Sequence, residues 1–129
     1  MTKIMIVDDD EDVLEMLGYM VTDFGYDVVT AKSGLEALDI LDQGAPLDLL
    51  LTDVVMPGLN GFNLAHMARL RRAALPVLYL TGYHDQAVAM LDKGVKYGRM
   101  LRKPVAADEL RKELGAALVR PSPGAASDA

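Results

Sequence analysis

Acidic side chains follow two strand-like segments of the sequence at the points where those segments end. Asp8 and Asp9 come directly after the apolar run of residues 4–7, and Asp53 follows the apolar-rich residues 47–52. Short apolar runs of this kind are typical of strands that are buried on both faces of a parallel sheet. Because ligands bind beyond the carboxyl ends of such strands, we expect the three carboxylates to share one site.

A hydroxyl group and an ammonium group end two further strand-like segments. Thr81 and Gly82 follow the fourth segment, and Lys103 and Pro104 follow the fifth. Three clustered carboxylates repel one another, and an all-oxygen set without imidazole or thiolate suits Mg²⁺ as the ion that offsets this repulsion. One carboxylate could then attack phosphorus and become an aspartyl phosphate. Lys103 would offset the charge of the transferred group, Thr81 would donate to it, and Gly82 would leave room for it.

Strand-like and helix-like segments alternate along the chain. Gly25 and Gly44 lie where helices commonly end, and Ser33 and Glu36 have the spacing of a capping box. Five strands alternating with five helices predict an α/β fold, in which a doubly wound parallel sheet carries helices on both faces. The predicted strands are residues 4–7, 27–30, 47–52, 77–80 and 99–102, with helices at about 11–24, 35–41, 62–72, 85–91 and 108–118.

Composition limits the classes of protein to which the chain can belong. Its 129 residues are 51% hydrophobic and 25% charged, which predicts one globular domain over residues 1–119 and a disordered tail over residues 120–129. The formal net charge of −6 argues against a nucleic-acid partner, and the absence of cysteine excludes disulfides and thiolate metal sites. With no apolar run long enough for a signal peptide or a membrane span, we expect a cytoplasmic protein without membrane association.

The four strand-end motifs, taken in order, resemble the response-regulator receiver domain of bacterial two-component systems. The resemblance covers about residues 3–118. It implies a flavodoxin-like (βα)5 three-layer sandwich with the strand order 2-1-3-4-5. The matching segments are residues 6–10 (IVDDD), 51–61 (LTDVVMPGLNG), 80–82 (LTG) and 103–104 (KP).

This resemblance implies a role for each acidic residue. Asp53 is similar to the phosphoacceptor of the family. Asp9 is similar to the direct Mg²⁺ ligand, whereas Asp8 would act mainly through water. Asp53 and the backbone carbonyl of Val55 would complete the protein's share of the metal shell.

The same resemblance implies the phosphate-binding and switching groups, and here the chain departs from the family pattern. Thr81 matches the switch hydroxyl, Lys103 matches the phosphate-binding lysine, and its peptide bond to Pro104 would be cis. Where the family usually has an aromatic residue in the fifth strand, this chain has Met100. Tyr83, two residues after Thr81, is a possible substitute switch aromatic, as in a receiver subgroup with a Thr-Gly-aromatic segment.

The function that the resemblance implies is that of a stand-alone response regulator. A histidine kinase or histidine phosphotransfer protein would phosphorylate Asp53 with Mg²⁺. An unknown downstream protein would bind the face formed by the predicted helix of residues 85–91, the fifth strand and the last helix. The chain would not be an enzyme beyond its own phosphorylation and dephosphorylation. The bulky Val55 and Tyr83 flank the expected path of a hydrolytic water, which predicts slow dephosphorylation.

Two other interpretations of the acidic motif remain open from the sequence. Asp8 to Asp10 partly resemble the start of haloacid-dehalogenase-type Mg²⁺ phosphatases, in which Asp8 would carry the phosphoryl group. The fifth position of that motif should be Thr or Val, but it is Asp12 here. A pure interaction module that never turns over phosphate is the third interpretation, and it would lack Mg²⁺ affinity.

Overall fold

Five strands in the described part of the chain form one parallel sheet in the order β2-β1-β3-β4-β5, which confirms the predicted fold class and strand order. This computed structural model describes residues 1–82 and 97–119, so the helix predicted at residues 85–91, the tail and Tyr83 lie outside it. The strands are β1 (Lys3–Val7), β2 (Asp27–Ala31), β3 (Leu49–Asp53), β4 (Val77–Thr81) and β5 (Met100–Arg102), and the helices within the described ranges are α1 (Glu11–Asp23), α2 (Gly34–Asp42), α3 (Gly61–Arg71) and α4 (Ala107–Val119).

The central strands are buried on both faces, as their apolar sequences predict. Every residue of β3 and β4 is buried, and in β1 Met5 and Val7 face one apolar layer while Ile4 and Ile6 face the other. Side chains alternate between the faces of a strand, so a continuous apolar run supplies both layers at once. The polar residues that follow these strands therefore leave the core together at one edge of the sheet.

Helices cover both faces of the sheet and complete a three-layer sandwich. The first and last helices pack on the Ile4 face, and α2 and α3 pack on the Met5 face. In the described part of the chain, no helix is both long and apolar enough to cross a membrane. The buried helical residues on the Ile4 face include Leu14, Leu17, Val21, Leu110 and Leu114, and those on the Met5 face include Ala37, Leu38, Leu41, Leu64 and Ala68.

Short polar side chains begin three of these helices. Asp10 accepts a hydrogen bond from the backbone N–H of Asp12 at 2.9 Å, and Asn60 caps α3 by accepting from the N–H three residues further on, also at 2.9 Å. Ser33 accepts from the N–H of Glu36 at 3.1 Å, which confirms the capping spacing predicted from the sequence. Each cap satisfies a donor that the first helical turn leaves unpaired, worth about 1 kcal/mol.

Candidate functional site

Three carboxylates meet at the carboxyl edge of the sheet. Strands β1 and β3 are parallel neighbours with Val7 opposite Thr52, so the residues after them lie side by side. Carboxylate oxygens of Asp8, Asp9 and Asp53 all lie within 4.8 Å of one another. Asp8 and Asp53 are buried, whereas Asp9 is exposed. We call these three residues the acidic cluster.

Lys103 joins the acidic cluster from the far end of the chain. Its Nζ donates to Asp8 Oδ2 at 2.8 Å and lies 3.1 Å from Asp53 Oδ1. Burial lowers the pKa of Lys103, but the hydrogen bond to Asp8 and the charge of Asp53 outweigh burial and hold that pKa above its ordinary value. The pairing therefore stabilises the fold below the ordinary lysine pKa, and this contribution is lost as pH rises through the raised value.

Backbone groups orient the two buried carboxylates. Asp8 Oδ1 accepts from the N–H of Asp10 at 2.9 Å, and Asp53 Oδ1 accepts from the N–H of Val54 at 3.0 Å. The hydroxyl of Thr52 donates to the carbonyl oxygen of Asp53 at 2.9 Å. Hydrogen bonds to ionised acceptors are stronger than those between neutral groups. Both carboxylates are thus fixed in direction before any ligand arrives.

The acidic cluster fits Mg²⁺ by chemistry and by size. Oxygens on opposite sides of one Mg²⁺ lie about 4.2 Å apart, twice the usual bond length. The carboxylate oxygens of the cluster all lie within 4.8 Å of one another, which is compatible with ligands of a single ion. Carboxylate oxygens are hard ligands, and Mg²⁺ in proteins takes one or two of them while keeping several waters. The exposure of Asp9 leaves the outer side of the cluster open to water.

The fourth and fifth strands bring Thr81, Gly82 and Pro104 to the same edge. Thr81 is buried at the end of β4, and its hydroxyl donates to the carbonyl oxygen of Gly82 at 3.3 Å. The backbone N–H of Lys103 donates to the carbonyl oxygen of Thr81 at 2.8 Å, and the peptide bond between Lys103 and Pro104 is cis. Val55 lies on the loop after β3 with 44% of its surface exposed.

Gly61 allows a close backbone approach at this site that was not predicted from the sequence. An ideal Cβ at Gly61 would overlap the carbonyl oxygen of Asp53 and lie 2.9 Å from the Cα of Val54. The N–H of Gly61 also donates to the carbonyl oxygen of Val54 at 2.8 Å. The first turn of α3 therefore packs against the backbone of Asp53 and Val54. The only signal in the sequence is a glycine directly after the helix-capping Asn60.

We expect Gly61→Ala to lower the free energy of unfolding by about 3 kcal/mol, because its methyl group would overlap backbone atoms that cannot move aside cheaply. Urea unfolding measures the loss. Gly115→Ala in α4 is the matched control, since no atom lies within 4 Å of its added Cβ, and alanine there should leave stability equal or higher. Equal unfolding midpoints for the two variants would contradict the close approach.

Comparison with known sequences identifies the family. A family model described as the response regulator receiver domain matches residues 4–115. The chain is 38% identical over 128 residues to the response regulator MprA of Mycobacterium sp. strain KMS, an alignment that covers 98% of this chain and 54% of MprA. It thus spans about half the length of the curated relatives it matches. These matches do not favour the alternative of a haloacid-dehalogenase-type phosphatase.

Solved structures agree with this assignment. A response regulator receiver domain protein from Clostridium thermocellum is similar with a TM-score of 0.83 and 29% identity, covering 92% of this chain and 94% of that one. The response regulator TrrA of Thermotoga maritima, solved in complex with Mg²⁺ and BeF, has a TM-score of 0.77 and 27% identity, covering 92% and 100%. With its matching family model, strand order and clustered acidic residues, the chain belongs to the response-regulator receiver domains of two-component signalling.

Proposed function

We propose that residues 1–119 act as a receiver domain that accepts a phosphoryl group on Asp53 with Mg²⁺. The observation that carries this proposal is the contact of Lys103 Nζ with Asp8 at 2.8 Å and Asp53 at 3.1 Å, inside a cluster of three carboxylates. One ammonium group offsets only part of that negative charge. The remaining charge favours a divalent cation, and the cation favours an incoming phosphoryl group.

The chemistry of this step is a direct displacement at phosphorus. A carboxylate oxygen of Asp53 attacks, the new O–P bond forms, and the P–N bond of a phosphohistidine donor breaks with departure of its imidazole. With acetyl phosphate as the donor, a P–O bond breaks and acetate leaves. A bound Mg²⁺ would supply charge neutralisation for the transferred group. The Nζ of Lys103 would contact a phosphoryl oxygen while it keeps its contact with Asp8.

Asp8 is poorly suited to be the nucleophile. Its Oδ1 accepts from the N–H of Asp10, its Oδ2 accepts from Lys103, and only 1% of its surface is exposed. Attack through either oxygen would break one of these contacts in a buried place, which is costly. Asp8 instead supplies charge that binds the cation and Lys103.

The donor in this proposal is a histidine kinase or a histidine phosphotransfer protein. A pocket of about 310 Å³ opens beside Lys103, between α1 and the segment that follows β5, and its lining includes Met16 and Pro104. Met16 has 46% of its surface exposed. Because Lys103 borders both this pocket and the acidic cluster, a protein seated there would deliver its phosphohistidine next to Asp53.

The readout in this proposal is a change in protein binding. Phosphorylation adds a charge of about −1.5 to −2 at Asp53. The Thr81 hydroxyl would give up its 3.3 Å hydrogen bond to Gly82 and donate to a phosphoryl oxygen instead. This would change the relative populations of two conformations of the face that includes β5 and α4. The helix predicted from the sequence at residues 85–91 would complete that face. Action as a stand-alone response regulator also stays a prediction. The mass of the protein made from the native gene tests it, and a mass near that of this chain would support it.

Mapping the labelled residue tests the proposal. The chain is incubated with acetyl phosphate and Mg²⁺, the acyl phosphate is trapped by reduction, and the modified aspartate is located by mass spectrometry. We expect modification of Asp53 and none when the metal is chelated. Modification of Asp8 would instead support the phosphatase interpretation, and no modification with Mg²⁺ present would support a pure interaction module.

Dephosphorylation is expected to be slow. Val55 is bulky, apolar and 44% exposed on the loop after Asp53, and in this proposal its side chain would shield the aspartyl phosphate without activating water. We expect Val55→Asn to shorten the half-life of the phosphoryl group severalfold, because an amide can hold a water by hydrogen bonds. Loss of label over time measures it, with Tyr83→Ala as a second variant. If neither variant loses label faster than the wild-type chain, shielding is not the cause.

A further inference from the structure

Gly34 is buried at the first position of α2, directly against the side chain of Leu59. An ideal Cβ at Gly34 would lie 2.8 Å from Leu59 Cδ2 and 2.9 Å from Leu59 Cβ. The second distance matters more, because a Cβ atom moves only with its backbone. Gly34 is not among the residues with positive φ, so its backbone conformation is open to other residues. Leu59, and not the local backbone, therefore explains the glycine.

Leu59 belongs to the loop of residues 54–60, whose two ends are already held. At its start, the N–H of Val54 donates to the carbonyl oxygen of Leu80 at 3.0 Å, and at its end the N–H of Gly61 donates to the carbonyl oxygen of Val54 at 2.8 Å. Between these points Val55 is exposed, while Leu59 packs against the apolar layer under α2 and α3. The contact with Gly34 thus ties the loop, at a point two residues before α3, to a helix outside the site.

We propose that Gly34 is a positioning residue for metal binding. By leaving room for Leu59, it sets the path of the loop of residues 54–60 and hence the direction of the Val55 carbonyl. This inference rests on the proposed function, in which that carbonyl is one of the Mg²⁺ ligands. A methyl group at Gly34 would push Leu59 outward and displace the loop that carries the Val55 carbonyl, although no residue of the acidic cluster is touched.

The experiment is calorimetric titration of the whole chain with Mg²⁺. We expect Gly34→Ala to weaken Mg²⁺ binding by roughly tenfold, the low end of what losing a supporting contact costs a metal site. Gly18→Ala is the matched control, since Gly18 is also helical but has no atom within 4 Å of an added Cβ. Its Mg²⁺ affinity should equal that of the wild-type chain.

Leu59→Ala tests the same contact from the other side and does not depend on whether Gly34→Ala folds. It removes the anchored side chain, so it should also weaken Mg²⁺ binding. Both changes act through one contact. The Mg²⁺ affinity of the double variant should therefore equal, to within about twofold, that of the single variant with the lower affinity. Circular dichroism checks that each variant is folded at the temperature of the titration.

The outcomes separate this inference from the proposed function. If the wild-type chain itself binds no Mg²⁺, the proposed function fails and the inference fails with it. If the wild-type chain binds Mg²⁺ and Leu59→Ala binds it equally well, the function stands and the positioning role of Gly34 is overturned. Fully additive losses in the double variant, or an equal loss in Gly18→Ala, would overturn it as well.

Discussion

Asp53→Asn is expected to reduce labelling by acetyl phosphate to background. The amide has nearly the size of the carboxylate, and its oxygen can still accept the hydrogen bond that Val54 donates to Asp53 Oδ1 at 3.0 Å. The fold should therefore survive, while the anionic nucleophile is gone. Incorporation of phosphate in the presence of Mg²⁺ measures the effect, with urea unfolding to show that the variant is folded.

Asp39→Asn is the matched control for this experiment. Asp39 is exposed on α2, so the same chemical change there should leave labelling at the wild-type level. Labelling of Asp53→Asn at the wild-type rate would contradict the assignment of the phosphoacceptor. Label that persists and maps to Asp8 would revive the phosphatase interpretation.

The second large effect concerns stability in the presence of Mg²⁺. A ligand that binds only the folded chain stabilises it by about 2.7 kcal/mol at a hundredfold excess over Kd, which raises Tm by roughly 10 °C for a domain of this size. We expect Asp9→Asn to remove most of that increase. Asp9 is the exposed member of the acidic cluster, so its neutralisation weakens the metal site without leaving a buried charge unpaired.

Asp12→Asn is the control for this measurement. Asp12 lies in the first turn of α1, is exposed, and is not a member of the acidic cluster. Both variants lose one negative charge close to the site, so a general effect of charge would change them equally. Thermal unfolding with and without Mg²⁺ distinguishes the two. An undiminished Mg²⁺ effect in Asp9→Asn would mean that Asp9 is not a ligand.

The sequence predicted those parts of the site that depend on single strands. Asp8 and Lys103 each follow a short strand and Asp53 ends one, and parallel strands bring their carboxyl ends to one edge whatever the order of the strands. That order is not determined by the alternation of strands and helices, and it came from the resemblance to the family. The predicted strand boundaries differ from the observed ones by one or two residues. The backbone pairing extends to Ala31, Asp53 and Thr81, which lie beyond the segments that the sequence pattern predicted.

Features that depend on contacts between distant segments could not be predicted from local patterns. Gly61 is a glycine because of the Asp53 carbonyl, and Gly34 is one because of Leu59. Neither has a positive φ, so neither carries the signature of a turn. Leu35 shows the same limit: it is apolar and lies on α2, yet 68% of its surface is exposed, because the buried face of that helix is formed by Gly34, Ala37, Leu38 and Leu41.

The pair of Lys103 and Asp8 joins positions 95 residues apart in the chain. Such a contact forms late, since the entropy of closing so long a loop must be offset by packing already in place. Until β5 has joined the sheet, Asp8 and Asp53 lie side by side without the ammonium group that offsets part of their charge. The last strand therefore completes the electrostatics of an edge that the first and third strands build.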